Sequence, residues 1–222
     1  MKKAIFALFS ICLIAVSCKK SDPDPVAPVN QPFYNSVAGS NWIYEVRTQD
    51  PTTLDTIVTY DTSRVTSLDT SIGSKVYDIT EHNNGTHSYY NVTGNDYYQF
   101  QHVVIPATLD TSIEALYLKD NGAVGTNWSQ QLSVNAGLPF PITITFASSI
   151  AETGLTKVVY GTTYNDVISV TTTLNAPGIT INSNIKNYYA RNIGLIQADY
   201  YIDIPGVTTV NNQTLLKFAD PR

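Results

Sequence analysis

A chain of 222 residues with a formal net charge of −5, and no cluster of lysine and arginine beyond its first twenty residues, does not suit nucleic acid as a partner. Its 2 cysteines both fall among the first eighteen residues, so the rest of the chain can form neither a disulfide framework nor a thiolate metal site. Charged residues make up 14% of the chain, whereas tyrosine alone occurs 15 times.

The chain opens "MKKAIFALFSICLIAVSCKK", with Lys2 and Lys3 ahead of an apolar stretch from Ala4 to Val16. That stretch is shorter than the ~20 residues a membrane-spanning helix needs and has the length of a signal peptide. Its end, Ala15-Val16-Ser17-Cys18, resembles a bacterial lipoprotein signal, with alanine where leucine is usual, as in the looser pattern of Bacteroidota. The resemblance implies a signal peptide over residues 1–17. It also implies a palmitate-type acyl anchor on Cys18 and an outer-membrane lipoprotein held by that lipid. Cys12 would leave with the signal, and a secreted protein with a chance cysteine is the alternative. Residues 18–32 read as an extended tether, because Pro23, Pro25, Pro28 and Pro32 supply no ladder donors and cannot continue a helix. Asp22 and Asp24 resemble the acidic export signals of surface lipoproteins, which leaves both the cell surface and the periplasmic side open.

Residues 33–222 read as one β domain. "NWIYEVRTQ", "DTIVTYDTSRVTSL", "KVYDITEH", "SIEALYLK", "PITITFAS", "KVVYGTTYNDVISVTTTL", "ITINSNIKNYYA" and "LLKF" alternate apolar with polar residues, between turns rich in Gly, Asn, Asp and Pro. The expected fold is all-β: a single antiparallel, strongly curved sheet, half-barrel or sandwich-like, with little or no helix beyond a short turn in "SSIAETGL". Asn84-Gly85 suits a type I′ hairpin. His82 and His87 flank it and are expected to sit across from each other, beside Glu81. Two histidines and a carboxylate at an exposed turn read as a solvated hairpin end, so neither metal nor cofactor is expected. "GSNW" at Gly39–Trp42 recurs as "GTNW" at Gly125–Trp128, and a Lys-Val strand and two Tyr-Tyr pairs follow in each half. An internal duplication over 36–104 and 122–205 would explain this order, as would the general frequency of these residues in β proteins. Both Trp42 and Trp128 are expected to be buried.

The pairs Tyr89-Tyr90, Tyr97-Tyr98, Tyr188-Tyr189 and Tyr200-Tyr201 are the candidate binding residues. Neighbours on a strand face opposite ways, so one ring of each pair should enter the core and the other should face outward. Tyr188-Tyr189 and Tyr200-Tyr201, on either side of the turn at Gly194, are expected to meet across the strands. Outer rings of this kind either staple strands together or form a platform for a glycan, a lipid or an envelope protein.

"GSNWIYEV", "VGTNW", "YGTTYNDVISV" and "YYARNIGLIQADY" together resemble a set of uncharacterised Bacteroidota lipoproteins. Their curved antiparallel sheet is distantly similar to the half-barrel of the LolA/LolB lipoprotein carriers. The resemblance implies a fold and an envelope location, and its motifs contain no catalytic residue. Those carriers cover their concave face with helices, which this sequence all but lacks. No Gly-x-Ser-x-Gly, His-Glu-x-x-His, P-loop or Gly-x-Gly-x-x-Gly pattern occurs. Asp199 and Asp203 share a strand face, which keeps a glycoside-active enzyme as the alternative. The reading is therefore a non-catalytic cell-envelope lipoprotein whose β domain binds a ligand or partner.

Overall fold

A computed structural model describes residues 31–50, 52–105, 109–134, 141–205 and 208–222. The signal, Cys18 and most of the tether lie outside these. Twelve antiparallel strands form one nearly closed, barrel-shaped sheet, and no helix occurs among the described residues. They are β1 (Asn41–Gln49), β2 (Thr56–Ile72), β3 (Lys75–His82), β4 (His87–Thr93), β5 (Asp96–Ile105) and β6 (Leu109–Lys119), then β7 (Asn127–Val134), β8 (Ile142–Val159), β9 (Thr162–Asn175), β10 (Asn182–Ala190), β11 (Gly194–Ile204) and β12 (Thr208–Asp220). The order around the sheet is β6-β5-β4-β3-β2-β1-β12-β11-β10-β9-β8-β7, so two six-strand meanders join where β1 pairs with β12. The stretch "SSIAETGL" is not a helical turn. It lies within β8, where three register shifts against β9 absorb its irregular pattern.

Each meander begins in the same way. Gly39 has φ +89° and donates to the Val65 carbonyl at 2.9 Å, while the Val65 N–H donates to Ser40 O at 2.9 Å. Gly125 has φ +88°, donates to the Ile150 carbonyl at 2.8 Å, and the Ile150 N–H donates to Thr126 O at 2.9 Å. Glycine is needed there because only it takes that backbone conformation without strain. The tryptophan that follows is opposite an inward serine in both cases, Trp42 opposite Ser63 and Trp128 opposite Ser148. Their burial differs: Trp42 is 4% exposed, but Trp128, on an end strand of the sheet, is only partly buried. The two Lys-Val strands are not equivalent, since Lys75 opens β3 and Lys157 lies near the end of β8.

β6 and β7 end the sheet, and no backbone ladder joins them among the described residues. Side chains close the seam instead. Gln130 on β7 accepts from the Leu116 N–H at 2.8 Å and donates to Glu114 O at 3.0 Å. The Trp128 indole N–H donates to Leu116 O at 2.8 Å. Gln130 thus stands in for a backbone amide, offering one donor and one acceptor in nearly the right places.

One end of the barrel is covered by the segment before β1. Phe33 is fully buried, its N–H donates to the Tyr97 hydroxyl at 3.1 Å, and the Arg191 guanidinium lies 4.3 Å over its ring. Arg191 also pairs with Asp120 at 3.1 Å and with Asp166. The Asn192 N–H donates to Pro32 O at 2.7 Å. "RNIG" is therefore more than a hairpin turn. Gly194 takes φ +89° as expected, and a Cβ there would stand 3.2 Å from the Phe33 carbonyl oxygen.

Candidate functional site

An eight-stranded barrel is about filled by its own side chains, and diameter grows with strand number. Twelve strands therefore leave space, even with Phe33, Tyr34, Val65 and Leu118 packed at the covered end. A cavity of about 640 Å³ remains in the interior. The alternation on each strand decides what faces it. Trp42, Tyr44 and Val46 of β1 line it, as do Thr80 and His82 of β3, Ser88 and Tyr90 of β4, and Asn187 and Tyr189 of β10.

The tyrosine pairs split as the pleat requires. Tyr90, Tyr189 and Tyr200 line the cavity, and Tyr97 is buried beside them. Tyr89, Tyr98, Tyr188 and Tyr201 occupy the other face, and of these Tyr201 is 43% exposed. The outer rings do not gather. Tyr89 and Tyr98 lie on β4 and β5, Tyr188 and Tyr201 on β10 and β11, with four strands between the groups. Two are covered by lysine: the Lys75 ammonium lies 3.3 Å from the Tyr98 ring centroid and Lys157 3.7 Å from that of Tyr188. The expected meeting of the last two pairs does not occur, because Tyr200 is opposite Ile185 and Tyr201 opposite Asn184. The turn is too far from Tyr200 for the register to bring it to Tyr189, which pairs with Leu195.

The inner rings, by contrast, form a continuous cluster. Tyr34 stacks on Tyr90 with centroids 4.8 Å apart, Tyr90 meets Tyr117 at 6.3 Å, and Tyr117 meets Tyr189 at 5.4 Å and Tyr97 at 6.1 Å. Such pairs contribute about 0.5–1.5 kcal/mol each beyond burial. Burial pushes the phenols of Tyr44, Tyr117 and Tyr189 well above their ordinary range and that of Tyr90 up to about 12. These rings stay neutral at any physiological pH, so each offers an apolar face and a hydroxyl tip.

A polar wall runs beside the rings. His82 does not face His87. The residue opposite His87 is Glu81, while His82 turns inward on the other face of β3. His82 Nδ1 lies 3.0 Å from Asp61 Oδ2, and His82 Nε2 lies 2.9 Å from Ser88 Oγ. These distances match the hydroxyl–imidazole–carboxylate relay of serine hydrolases. Here, however, Ser88 is only 7% exposed, which keeps its hydroxyl out of reach of a bulky acyl substrate. Close by, the Tyr90 phenol accepts from Gln99 Nε2 at 3.1 Å. Asp61, His82 and Ser88 form one hydrogen-bonded group of this wall, and Tyr90 and Gln99 another. No group of three or more His, Cys, Asp or Glu with metal-holding geometry occurs among the described residues. Asp199 and Asp203 are away from the cavity, bound to Gln197 and Gln213 and to Asn182 and Thr209 respectively.

Two polar atoms of the lining have no partner. The Trp42 indole N–H and the Asn187 side-chain oxygen are buried without a hydrogen bond. Sequence reasoning passed over Trp42, Asn187, Asp61 and Ser88 as site residues, since they lie on four strands with unexceptional neighbours. The signal that would have found them is the in–out alternation taken around a closed sheet instead of an open one.

Fold and site together define an antiparallel β barrel enclosing an amphipathic cavity. Two solved structures are similar to it. One is a candidate exported protein with a YmcC-like fold from Bacteroides fragilis NCTC 9343, at 11% identity and a TM-score of 0.49. The other is a candidate lipoprotein from Parabacteroides distasonis ATCC 8503, at 10% identity and a TM-score of 0.48. In both, 86% of this chain covers 99% of the other. No family model and no curated protein matches the chain.

Proposed function

We propose that this chain is a lipid-anchored protein of the cell envelope that binds a small ligand inside its barrel and performs no chemistry on it. The anchor reading rests on the signal ending at Cys18. The binding reading rests on one observation: a cavity of about 640 Å³, within the ~300–1,000 Å³ of small-molecule sites, whose wall includes a buried indole N–H without a partner. Buried donors left unbonded cost about 1–3 kcal/mol, and a bound molecule removes that cost. A second reading, lipid carriage in the manner of the LolA/LolB half-barrels, is favoured by the apolar part of the lining at Ile113, Leu132, Phe146 and Ile185.

A thermal-shift screen of glycans, lipids and metabolites against wild type, Ala115→Trp and Thr214→Trp tests the interior site. Both substitutions place a large ring in the cavity lining. The expected result is a compound that raises the melting temperature of wild type and of neither filled variant. A compound that stabilises all three equally binds outside the barrel and refutes the reading, and so does a screen with no stabilising compound.

A further inference from the structure

Taking the interior site as the binding site, we infer that its ligand is a neutral, polyhydroxylated ring compound, a short saccharide in chemical class. Charge argues first. The described lining contains no lysine or arginine, and its inward carboxylate is Asp61, bonded to His82; the Glu114 carboxylate is taken by Lys75 at 2.8 Å on the outer face. A phosphate, a fatty carboxylate or a uronate would enter with no lysine or arginine to meet it, and burying an unpaired charge is among the costliest steps in binding.

Polarity argues next against a hydrocarbon. Ser63, Thr80, Gln99, Ser148, Thr172 and Asn187 face the same space as the rings. Gln99, Ser148 and Thr172 already hold protein partners, but an acyl chain would leave the spare donors and acceptors of this set with none. A sugar differs, because its ring carries C–H faces that pack on tyrosine and an equatorial belt of hydroxyls that bond to amides, hydroxyls and imidazole.

The two orphaned atoms make the same distinction. Trp42 Nε1 needs an acceptor and Asn187 Oδ1 needs a donor. Trp42 is 4% exposed, so bulk water does not satisfy it. A hydroxyl both accepts and donates, and a molecule with several of them meets both requirements from positions well apart. An ammonium offers no acceptor, an ether no donor, and an alkyl chain neither. The Asp61–His82–Ser88 group and the Tyr90–Gln99 pair extend the argument, since the Ser88 and Tyr90 hydroxyls and the Gln99 amide keep donor or acceptor capacity that a sugar hydroxyl can use while the Asp61–His82 contact stays in place.

The test uses the full-length protein in phospholipid nanodiscs, with empty nanodiscs as the blank, and saturation-transfer NMR as readout. The probes are maltose, cellobiose and N,N′-diacetylchitobiose, with galacturonate as an anionic ring and 1-aminoanthracene as a neutral apolar one. The expected result is saturable binding of at least one disaccharide, no binding of galacturonate, and a tenfold or greater loss of affinity in Asn187→Leu and in Trp42→Phe. Asn187→Leu is carried as a second variant because Trp42→Phe removes part of the core as well as the N–H. Saturable binding of 1-aminoanthracene, lost in Ala115→Trp, with no disaccharide bound, overturns the saccharide class and leaves the interior site standing. Disaccharide binding undiminished in both Asn187→Leu and Trp42→Phe overturns the assignment of the orphaned atoms. No binding of any probe overturns the inference together with the interior site.

Discussion

Replacing Gln130 by leucine isolates the barrel's weakest join. The side chain keeps its volume but loses both bonds across the seam, the 2.8 Å bond from the Leu116 N–H and the 3.0 Å bond to Glu114 O. Each such bond contributes about 0.5–1.5 kcal/mol net, so the pair is worth about 1–3 kcal/mol, toward the lower end if water reaches the exposed groups. The Trp128–Leu116 bond remains and holds one point of contact. The loss should therefore be local. Amide hydrogen exchange reads it directly, because the N–H of Leu116 has a side chain, not a strand, as its acceptor. Its exchange should accelerate by about ten- to a hundredfold, following 1.4 kcal/mol per factor of ten. Amides of the β1–β12 ladder should stay within experimental error of wild type. An unchanged rate at Leu116 would show that Gln130 does not close the seam. Equal acceleration at Leu116 and in β1–β12 would show that the seam is no softer than the rest of the barrel.

Cys18→Ser should move the protein from the membrane pellet to the supernatant after a high-salt wash, because lipid is the expected anchor. Trp42→Ala should cost about 3–5 kcal/mol in chemical denaturation, and Trp128→Ala clearly less, since only Trp42 is fully enclosed. Gly194→Ala should cost about 1–2 kcal/mol from its left-handed backbone, plus whatever the 3.2 Å approach to Phe33 O adds; a melting curve identical to wild type would contradict that packing. A fluorophosphonate should leave Ser88 unmodified after prolonged incubation, as read by peptide mass spectrometry, and labelling there would mean that the buried wall is an active site after all.

Much of the fold was legible because alternation is a local property. The nine residues from Asn41 to Gln49 make up the stretch "NWIYEVRTQ", and the in–out reading of all four tyrosine pairs needs nothing beyond the pleat. Closure was not legible. It depends on β1 meeting β12 and on Gln130 reaching Leu116, contacts between residues whose spacing in sequence says nothing about them. The site was hidden for the same reason. Attention fell on the outer rings because a sheet read as open has a wet face to spare, whereas a closed one gathers its interest inside. His82 illustrates the point: beside Asn84-Gly85 it looked like a hairpin ornament, yet a one-residue difference in facing separates it from Glu81 and His87 and sends it to Asp61 and Ser88.

The chain order of the barrel also has a kinetic consequence. Within each meander, every strand pairs with the next one along the chain, so β1 to β6 can assemble before the second meander is made. The ladder between Asn41–Thr48 and Asn212–Asp220 is different, since it closes a loop of nearly the whole domain and cannot form until the last strand is made. During that interval β1 presents a bare edge, "NWIYEVRTQ", rich in aromatic and branched residues and suited to pairing with a stranger. The time between synthesis of β1 and of β12, and any chaperone that covers β1 meanwhile, therefore bear on the yield of this protein. A circular permutant opened in the 120–126 turn, where β6 and β7 are already unladdered, would put β12 and β1 next to each other in synthesis and remove the delay.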